Sequence, residues 1–286
     1  MTQCIHTVAA LRTLVDGFHR EGKTVGLVPT MGALHAGHLS LVRRSMARCD
    51  RTVVSIFVNP TQFGPTEDFD RYPRTLGNDV KLLSELEKEG EPEILAFAPS
   101  VEEMYPQGFD TYVTVGGPAK PLEGQFRPTH FRGVATVVLK LFHMSRCDVA
   151  FFGQKDFQQV QVIRQFTRDL NVPVEIEICP IVREADGLAM SSRNRYLSSD
   201  ARNRALSLSR SLRKAAEKVR AGCRSRSELE AVIRAEIATC ANHKIDYIAI
   251  VNPETLLPVD ENLTLPVSIL LAVKVDDTRL IDNILL

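Results

Sequence analysis

Short apolar runs alternate with helical patterns along the first 180 residues, and this alternation constrains the fold more than any other feature. The run from Val53 to Val58 is almost continuously apolar, which is typical of a parallel strand covered on both faces. Such alternation predicts a doubly wound α/β sheet. The predicted strands are Thr24–Pro29, Arg51–Asn59, Ile94–Ala98, Asp148–Gly153 and Val174–Cys179, and the predicted helices are Met1–Glu21, His38–Arg48, Asp79–Glu89, Phe131–Met144 and Phe157–Leu170.

The second half of the chain changes character. Ser198–Gly222 has apolar residues at helical spacing, and Ser227 with Glu230 forms a capping-box pattern that opens a second helix. Two strands, Asp246–Val251 and Ser268–Val275, follow these helices. The pattern predicts a Rossmann-like domain over residues 1–179 and a smaller α+β domain over residues 180–286.

Composition narrows the class of protein. The chain has 35 basic and 35 acidic residues, so a footprint for nucleic acid over the whole chain is not expected. The longest apolar runs are far shorter than a membrane span requires. The six cysteines form no Cys-x-x-Cys pair, so we expect reduced thiols. We therefore predict a cytoplasmic globular protein without membrane or nucleic-acid partners.

A turn that contains glycine and histidine follows the first strong strand, over residues 29–38. In an open α/β sheet, ligands bind at the carboxyl ends of strands, and the N-terminus of the next helix favours phosphate. Gly32 and Gly37 would let a phosphate approach the backbone closely. His35 and His38 are three residues apart, so both can face one ligand and donate to a phosphate oxygen. The alternative is a pair of histidines that only completes the turn.

The His-x-Gly-His motif after this strand resembles the signature of the nucleotidylyltransferase superfamily, which includes class I aminoacyl-tRNA synthetases. Five further segments, in this order, are similar to the pantothenate synthetase family along essentially the whole chain. The sequence departs from the family pattern at Gln154, where Glu is more frequent, and at Ala33, where Asn is frequent. The five segments are Phe57–Phe63, His130–Val134, Gly153–Gln159, Met190–Asn194 and Thr278–Asn283.

The resemblance implies an ATP-dependent condensation of pantoate with β-alanine that releases AMP and pyrophosphate. A carboxylate does not acylate an amine at neutral pH because its leaving group is poor, whereas an adenylate is a mixed anhydride with a good leaving group. The resemblance also implies a homodimer formed through the N-terminal domain and a C-terminal domain that closes over ATP. Magnesium would be held mainly by phosphate oxygens.

The resemblance assigns the chemistry to four residues. His35, His38 and Lys155 would stabilise charge on the phosphates, and Asn59 would orient the reacting groups. Taken alone, Lys155 could equally be a surface lysine at a strand end. Its place in Gly-x-Lys-Asp directly after a strand favours a ligand.

Further residues are assigned to ATP by the resemblance. Val182 and Met190 would flank the adenine, and residues 191–193 would wrap the β- and γ-phosphates with two hydroxyls and a guanidinium. Taken alone, residues 191–193 could be an exposed turn, and Asp156 a helix N-cap rather than a ribose ligand. The complete ATP set is Met31, Gly32, Ala33, Leu34, His35, Ala36, Gly37, His38, Gly153, Gln154, Lys155, Asp156, Val182, Met190, Ser191, Ser192 and Arg193.

The acid and amine substrates have their own predicted residues. The family places Gln62 and Gln159 on pantoate, and Gln62 also near β-alanine. Two roles are possible for Met31, Val134 and Val138. They could form an apolar wall for the pantoate methyl groups, or they could simply pack in the core. No cluster of metal ligands is visible. Asp79 is an outer-sphere candidate for magnesium, although an acid on a helix face without a role in metal binding is the stronger interpretation.

Two other functions compete with the ligase. A nucleotidylyltransferase that stops at nucleotide transfer would need the His-x-Gly-His motif but not both Gln62 and Gln159. A nucleotide- or RNA-binding module without catalysis would have lost the phosphate-binding residues, which are present here. The nine basic and two acidic residues over 200–226 are interpreted as a solvated helix face, because no aromatic residues interleave with them.

Overall fold

The computed structural model describes residues 2–65, 67–87 and 93–286. The chain forms two compact units. The first comprises Met1–Gly153 and Val162–Pro180, and the second comprises Gln154–Gln161 and Ile181–Leu286. Unlike the predicted division between residues 179 and 180, this arrangement groups the segment that carries Lys155 with the C-terminal part of the chain.

The described residues of the first unit include six strands: β1 (Gln3–Ile5), β2 (Val25–Thr30), β3 (Arg51–Ile56), β4 (Glu93–Phe97), β5 (Val149–Gly153) and β6 (Glu175–Cys179). They form one parallel sheet in the order β1-β4-β3-β2-β5-β6. The predicted doubly wound sheet is therefore confirmed. Because β2 lies between β3 and β5, the strand order reverses at β2, and the carboxyl end of this strand is where such sheets bind ligands.

Helices flank the sheet, and apolar side chains from both layers form the core. Val28, Val54 and Phe151 on the strands are fully buried and pack with Leu41 and Val42 of the helix that follows β2. The helices in this part of the chain are α1 (Val8–Arg20), α2 (Ala36–Met46), α3 (Leu76–Leu86), α4 (Val101–Met104), α5 (Glu123–Phe126), α6 (His130–Ser145) and α7 (Phe157–Asp169). Residues 88 and 89, at the end of a predicted helix, lie outside the described residues.

The second unit contains helices α8 (Ser199–Arg220) and α9 (Arg226–Ala238), followed by strands β7 (His243–Val251), β8 (Ser268–Val275) and β9 (Thr278–Leu285). The strands form an antiparallel sheet in the order β7-β8-β9, and the apolar faces of both helices share a core with the sheet. The predicted α+β C-terminal fold is confirmed. Strand β9 is a finding of the structure, since the sequence presented it only as a family motif.

The start of the chain differs from its prediction. The helix predicted from residue 1 begins at Val8, where the hydroxyl of Thr7 accepts a hydrogen bond from the N–H of Ala10. The residues before it pair with β4 as strand β1. Local helical periodicity carried no sign of this pairing, because the partner lies about ninety residues away.

The cap of α9 also differs from the prediction. Ser225 is the N-cap, and its hydroxyl accepts a hydrogen bond from the N–H of Glu228. The hydroxyl of Ser227 instead donates to Glu261 at 2.6 Å. The Ser227 side chain, which the capping-box pattern assigned to the helix, therefore bonds the distant carboxylate of Glu261 instead.

Candidate active site

The turn after β2 holds a strained left-handed backbone. Gly32 and Ala33 both have positive φ, at 78° and 49°. The buried carboxylate of Asp79 accepts hydrogen bonds from the N–H groups of Ala33 (3.0 Å) and Leu34 (2.9 Å), and from the Thr75 hydroxyl (3.2 Å). A charged acceptor that satisfies two consecutive backbone donors offsets the cost of this conformation.

Asp79 lies in the first turn of α3, as the helix-face interpretation expects, but its side chain is fully buried. Both of its oxygens accept hydrogen bonds within the protein, which supports a positioning role and gives no support to the outer-sphere magnesium role. The signal was weak in the sequence, because the carboxylate acts on a turn 46 residues away.

The two histidines of the motif lie together. His35 is the N-cap of α2, and its Nδ1 accepts a hydrogen bond from the N–H of Gly37 at 3.2 Å. Nδ1 of His38 accepts from the N–H of His35 at 3.4 Å, and the two rings stack with centroids 4.0 Å apart. Because Nδ1 is the acceptor in each ring, the neutral form carries its proton on Nε2. Each imidazole thus has the tautomer that can donate through Nε2.

Most backbone donors of this turn are used inside the protein. The N–H of Gly32 donates to the Thr30 hydroxyl at 3.1 Å. The sequence predicts that a phosphate approaches the backbone of this turn, and in the structure these backbone donors make hydrogen bonds within the protein. The five residues whose N–H groups donate internally are Gly32, Ala33, Leu34, His35 and Gly37.

A second polar group lies at the carboxyl end of β3. Asn59 is 1% exposed, and its Nδ2 donates to Oε1 of Gln62 (2.9 Å) and to the carbonyl of Gly133 (3.3 Å). Its Oδ1 accepts from the hydroxyls of Tyr105 and Thr61, both at 2.9 Å. Asn59 was predicted to orient the reacting groups, and in the structure both ends of its amide are bonded to protein groups, Gln62 among them. With its oxygen held, Gln62 presents its Nε2 as a donor.

The backbone of Gln62 is also held in place. Nδ1 of His130 donates to the Gln62 carbonyl at 2.9 Å, and Arg127 donates to the same oxygen at 3.3 Å. Burial, and then the nearby charge of Arg127, lower the pKa of His130 to about 4, so its ring is neutral at pH 7. In the sequence, His130 was noted only as part of a segment shared with the family, and its contact with the Gln62 carbonyl was not predicted.

Close packing fixes this region further. A Cβ on Gly133 would lie 2.3 Å from the carbonyl oxygen of Thr61, so only glycine lets α6 approach the 3-10 turn Pro60–Gln62. Val134 and Val138, on the same helix, are almost fully buried, as the packing alternative expects. Met31 is half-buried directly after β2.

The second unit carries the remaining predicted residues on two segments. The first is the 3-10 turn Gln154–Asp156, which follows Gly153 at the end of β5. Nζ of Lys155 lies 3.7 Å from Oδ1 of Asp156, and both side chains are partly exposed. Gln159 is half-buried in the first turn of α7.

The other segment is a hairpin that leads into a short helical turn. The N–H of Met190 donates to the carbonyl of Val182 at 3.0 Å, so the two predicted adenine neighbours are brought together. Ser191 then caps the 3-10 turn Ser192–Tyr196 by accepting from the N–H of Arg193. Ser192 is 8% exposed, whereas Ser191 and Arg193 are half-buried, so this segment is not the exposed turn of the alternative interpretation.

Neither a metal cage nor a membrane span is found in the part of the chain that the structure describes. Across residues 2–65, 67–87 and 93–286, no group of three or more His, Cys, Asp or Glu side chains could hold a metal ion. Within the same ranges, no helix is long and apolar enough to cross a membrane.

Comparison with known proteins places these features in a family. A sequence model of the pantoate-beta-alanine ligases matches residues 3–285. Pantothenate synthetases from Acetivibrio thermocellus and Cereibacter sphaeroides are 52% and 50% identical over 98% and 99% of this chain, with equal coverage of their own lengths. A Thermus thermophilus pantothenate synthetase structure superposes with a TM-score of 0.92 at 45% identity, covering 99% of both chains. The Francisella tularensis ligase, solved with β-γ ATP and β-alanine, superposes with a TM-score of 0.78 at 32% identity, covering 100% of this chain and 98% of its own. The chain belongs to the pantoate-beta-alanine ligase family.

Proposed function

We propose that this protein joins pantoate to β-alanine in an ATP-dependent reaction that releases AMP and pyrophosphate. Membership of the ligase family over residues 3–285 supports the overall reaction. The observation that carries the proposal is the stacked pair His35 and His38, at the carboxyl end of the strand where the sheet order reverses. Nε2 donors at this place suit a nucleotide phosphate.

The reaction proceeds through an adenylate in this proposal. A pantoate carboxylate oxygen attacks the α-phosphorus of ATP, and the bond from that phosphorus to the bridging oxygen breaks with loss of pyrophosphate. The amine of β-alanine then attacks the acyl carbon, AMP departs with the electron pair of the acyl–oxygen bond, and the amine nitrogen loses a proton.

The two histidines and Lys155 serve the first step. Negative charge shifts onto the non-bridging α-phosphate oxygens and the pyrophosphate as the new bond forms. Donors that are already oriented stabilise this charge without reorganisation. The hydrogen bonds to Nδ1 orient each imidazole of His35 and His38 before the nucleotide binds. Lys155 contributes a cation to the phosphates.

The acid substrates bind through amides. Gln62 donates through Nε2 to the carboxylate or hydroxyl groups of pantoate and to β-alanine, because Asn59 occupies its oxygen. Gln159 is the second pantoate ligand. An amide orients a carboxylate without competing as a nucleophile.

The other ATP contacts are proposed as the resemblance assigns them. Gly153 and Asp156 bind the ribose, Val182 and Met190 the adenine, and residues 191–193 the outer phosphates. Magnesium accompanies ATP as a counter-ion of its phosphates, because the described side chains form no cage for it. A homodimer and a cytoplasmic location are further parts of the proposal.

Isotope exchange tests the proposal. We expect pantoate alone to support exchange of labelled pyrophosphate into ATP, before any amine is added. A requirement for β-alanine would contradict the adenylate. A protein that exchanges pyrophosphate but never forms an amide would favour the nucleotidylyltransferase alternative.

Three variants test the residue roles in the same assay. His35→Ala, His38→Ala and Lys155→Ala should each lower kcat by about 10²–10³, the usual effect of losing one oriented donor. Because these groups are partly exposed and polar, the melting temperature should change little, apart from the loss of the α2 cap in His35→Ala. His143→Ala, at an exposed position on α6, is the matched control and should keep the full rate. Normal rates with collapsed melting temperatures would show that the residues serve only the fold.

A further inference from the structure

The segment Thr278–Asn283, part of strand β9, has no role in the reaction described above. Its burial pattern points to one. Along β9 buried and half-buried residues alternate until Asp282 and Asn283, which are each 2% exposed. Two adjacent buried polar residues in an edge strand need partners, because a buried polar group without one costs free energy.

Asn283 uses its amide on the turn that carries Lys155. Its Nδ2 donates to the carbonyl of Gln154 at 3.0 Å and to the carbonyl of Lys155 at 2.9 Å. Its Oδ1 accepts from Nε2 of Gln154 at 3.2 Å. Two hydrogen bonds from Asn283 therefore hold the backbone from which the Lys155 side chain projects, and a third holds the side chain of Gln154.

Asp282 uses its carboxylate on the other nucleotide segment of this unit. Its two oxygens accept from the two terminal nitrogens of Arg183, at 2.7 and 2.9 Å. Arg183 also donates to the carbonyl of Gly187 at 3.2 Å, across the hairpin that pairs Val182 with Met190. A bidentate pair of this kind fixes orientation as well as adding energy.

We propose that Asp282 and Asn283 are positioning residues for ATP: Asn283 sets the Lys155 turn, and Asp282 sets the hairpin of Val182 and Met190. Neighbouring residues on a strand point to opposite faces. One dipeptide can therefore hold one segment on each face of the sheet. The inference rests on the proposed function, because it takes Lys155 and the hairpin as ATP ligands.

The two residues should fail in different ways. Displacing a catalytic group by about 1 Å can lower a rate by 10²-fold. Asn283→Ala should therefore lower kcat for pantoate-dependent pyrophosphate exchange by about 10- to 100-fold. Asp282→Asn should mainly raise KM for ATP, because the hairpin is assigned to adenine.

A double-mutant cycle separates positioning from general support of the fold. If Asn283 acts through Lys155, then Asn283→Ala combined with Lys155→Ala should be no slower than Lys155→Ala alone. Arg279→Ala is the matched control. It removes a side chain on the same face of β9, whose Nε bonds Asp246 at 2.7 Å, and should keep kcat. Asn283→Asp, which keeps the shape and removes the donors, covers the case in which the alanine variant does not fold.

The outcomes are distinct. Wild-type protein without pyrophosphate exchange would overturn the proposed function. If the wild-type protein is active, three results would overturn the positioning role alone. They are a normal rate in Asn283→Asp, multiplicative losses in the double mutant, and an equal loss in Arg279→Ala. Losses confined to the Asn283 and Lys155 variants and not multiplied in the double mutant would support it.

Discussion

Acidification should destabilise this protein through His130, the neutral imidazole that donates to the backbone of Gln62. Burial holds the pKa of His130 at about 4 in the folded protein, against about 6.5 in an unfolded chain. Between these two values the unfolded state binds a proton that the folded state does not. The free energy of unfolding therefore falls as the pH is lowered through this window, and His130 has no such effect above it.

The size of the effect follows from the two pKa values. One proton taken up only by the unfolded state changes the free energy of unfolding by about 1.4 kcal/mol per pH unit. Between pH 6.5 and pH 4 the loss is at most about 3 kcal/mol. This is an upper bound because the ring is half-buried rather than fully enclosed.

Denaturant unfolding at intervals from pH 4 to pH 8 measures this loss. His130→Asn keeps a donor near the position of Nδ1 and cannot be protonated, so its stability should decline less on acidification than that of the wild type. His6→Asn is the matched control, since His6 Nδ1 also contacts a backbone carbonyl, that of Ala98 at 2.8 Å, but its ring is exposed. A constant difference between wild type and His130→Asn across the whole range would refute the reasoning.

Two further changes probe the supports of the site by thermal unfolding and kcat. Asp79→Asn replaces one carboxylate oxygen with a donor that faces a backbone N–H, so it should lower the free energy of unfolding by about 1–3 kcal/mol and lower kcat. Unchanged stability would contradict the role given to Asp79. Gly133→Ala should cost about 1–3 kcal/mol because its Cβ meets the Thr61 carbonyl, whereas Gly77→Ala, with open space around the new Cβ, should be neutral or stabilising. Equal effects of the two glycine changes would show that the close approach at Gly133 is unimportant.

Strands β2 to β6 of the parallel sheet could be predicted because they are short runs rich in apolar residues, separated by helical patterns. Strand β9 could not, since the adjacent polar residues Asp282 and Asn283 break the alternation of a strand. These side chains are tolerated inside because Arg183 and Gln154 satisfy them, and both partners lie about one hundred residues or more away. Strand β1 was hidden for a similar reason, as its three residues pair with a distant strand.

Some residues of the candidate site could be predicted from the sequence and others could not. His35 and His38 were recognisable because the His-x-Gly-His motif coincides with the start of a helix, and the structure places their rings in contact. Asp79 and His130 were not, because each acts on backbone groups far along the chain and no local spacing encodes that contact. Sequence therefore identified side chains of reactive type more readily than the groups that hold them.

The internally bonded turn after β2 also bears on the thermodynamics of nucleotide binding. Before any ligand arrives, Thr30, Asp79 and the two imidazoles already accept from five backbone donors of this turn, those of Gly32, Ala33, Leu34, His35 and Gly37. A segment ordered in advance loses little conformational entropy when it meets its ligand. We therefore expect this part of the chain to bind nucleotide without rearranging. The entropic penalty of binding should then be small and the association rate fast.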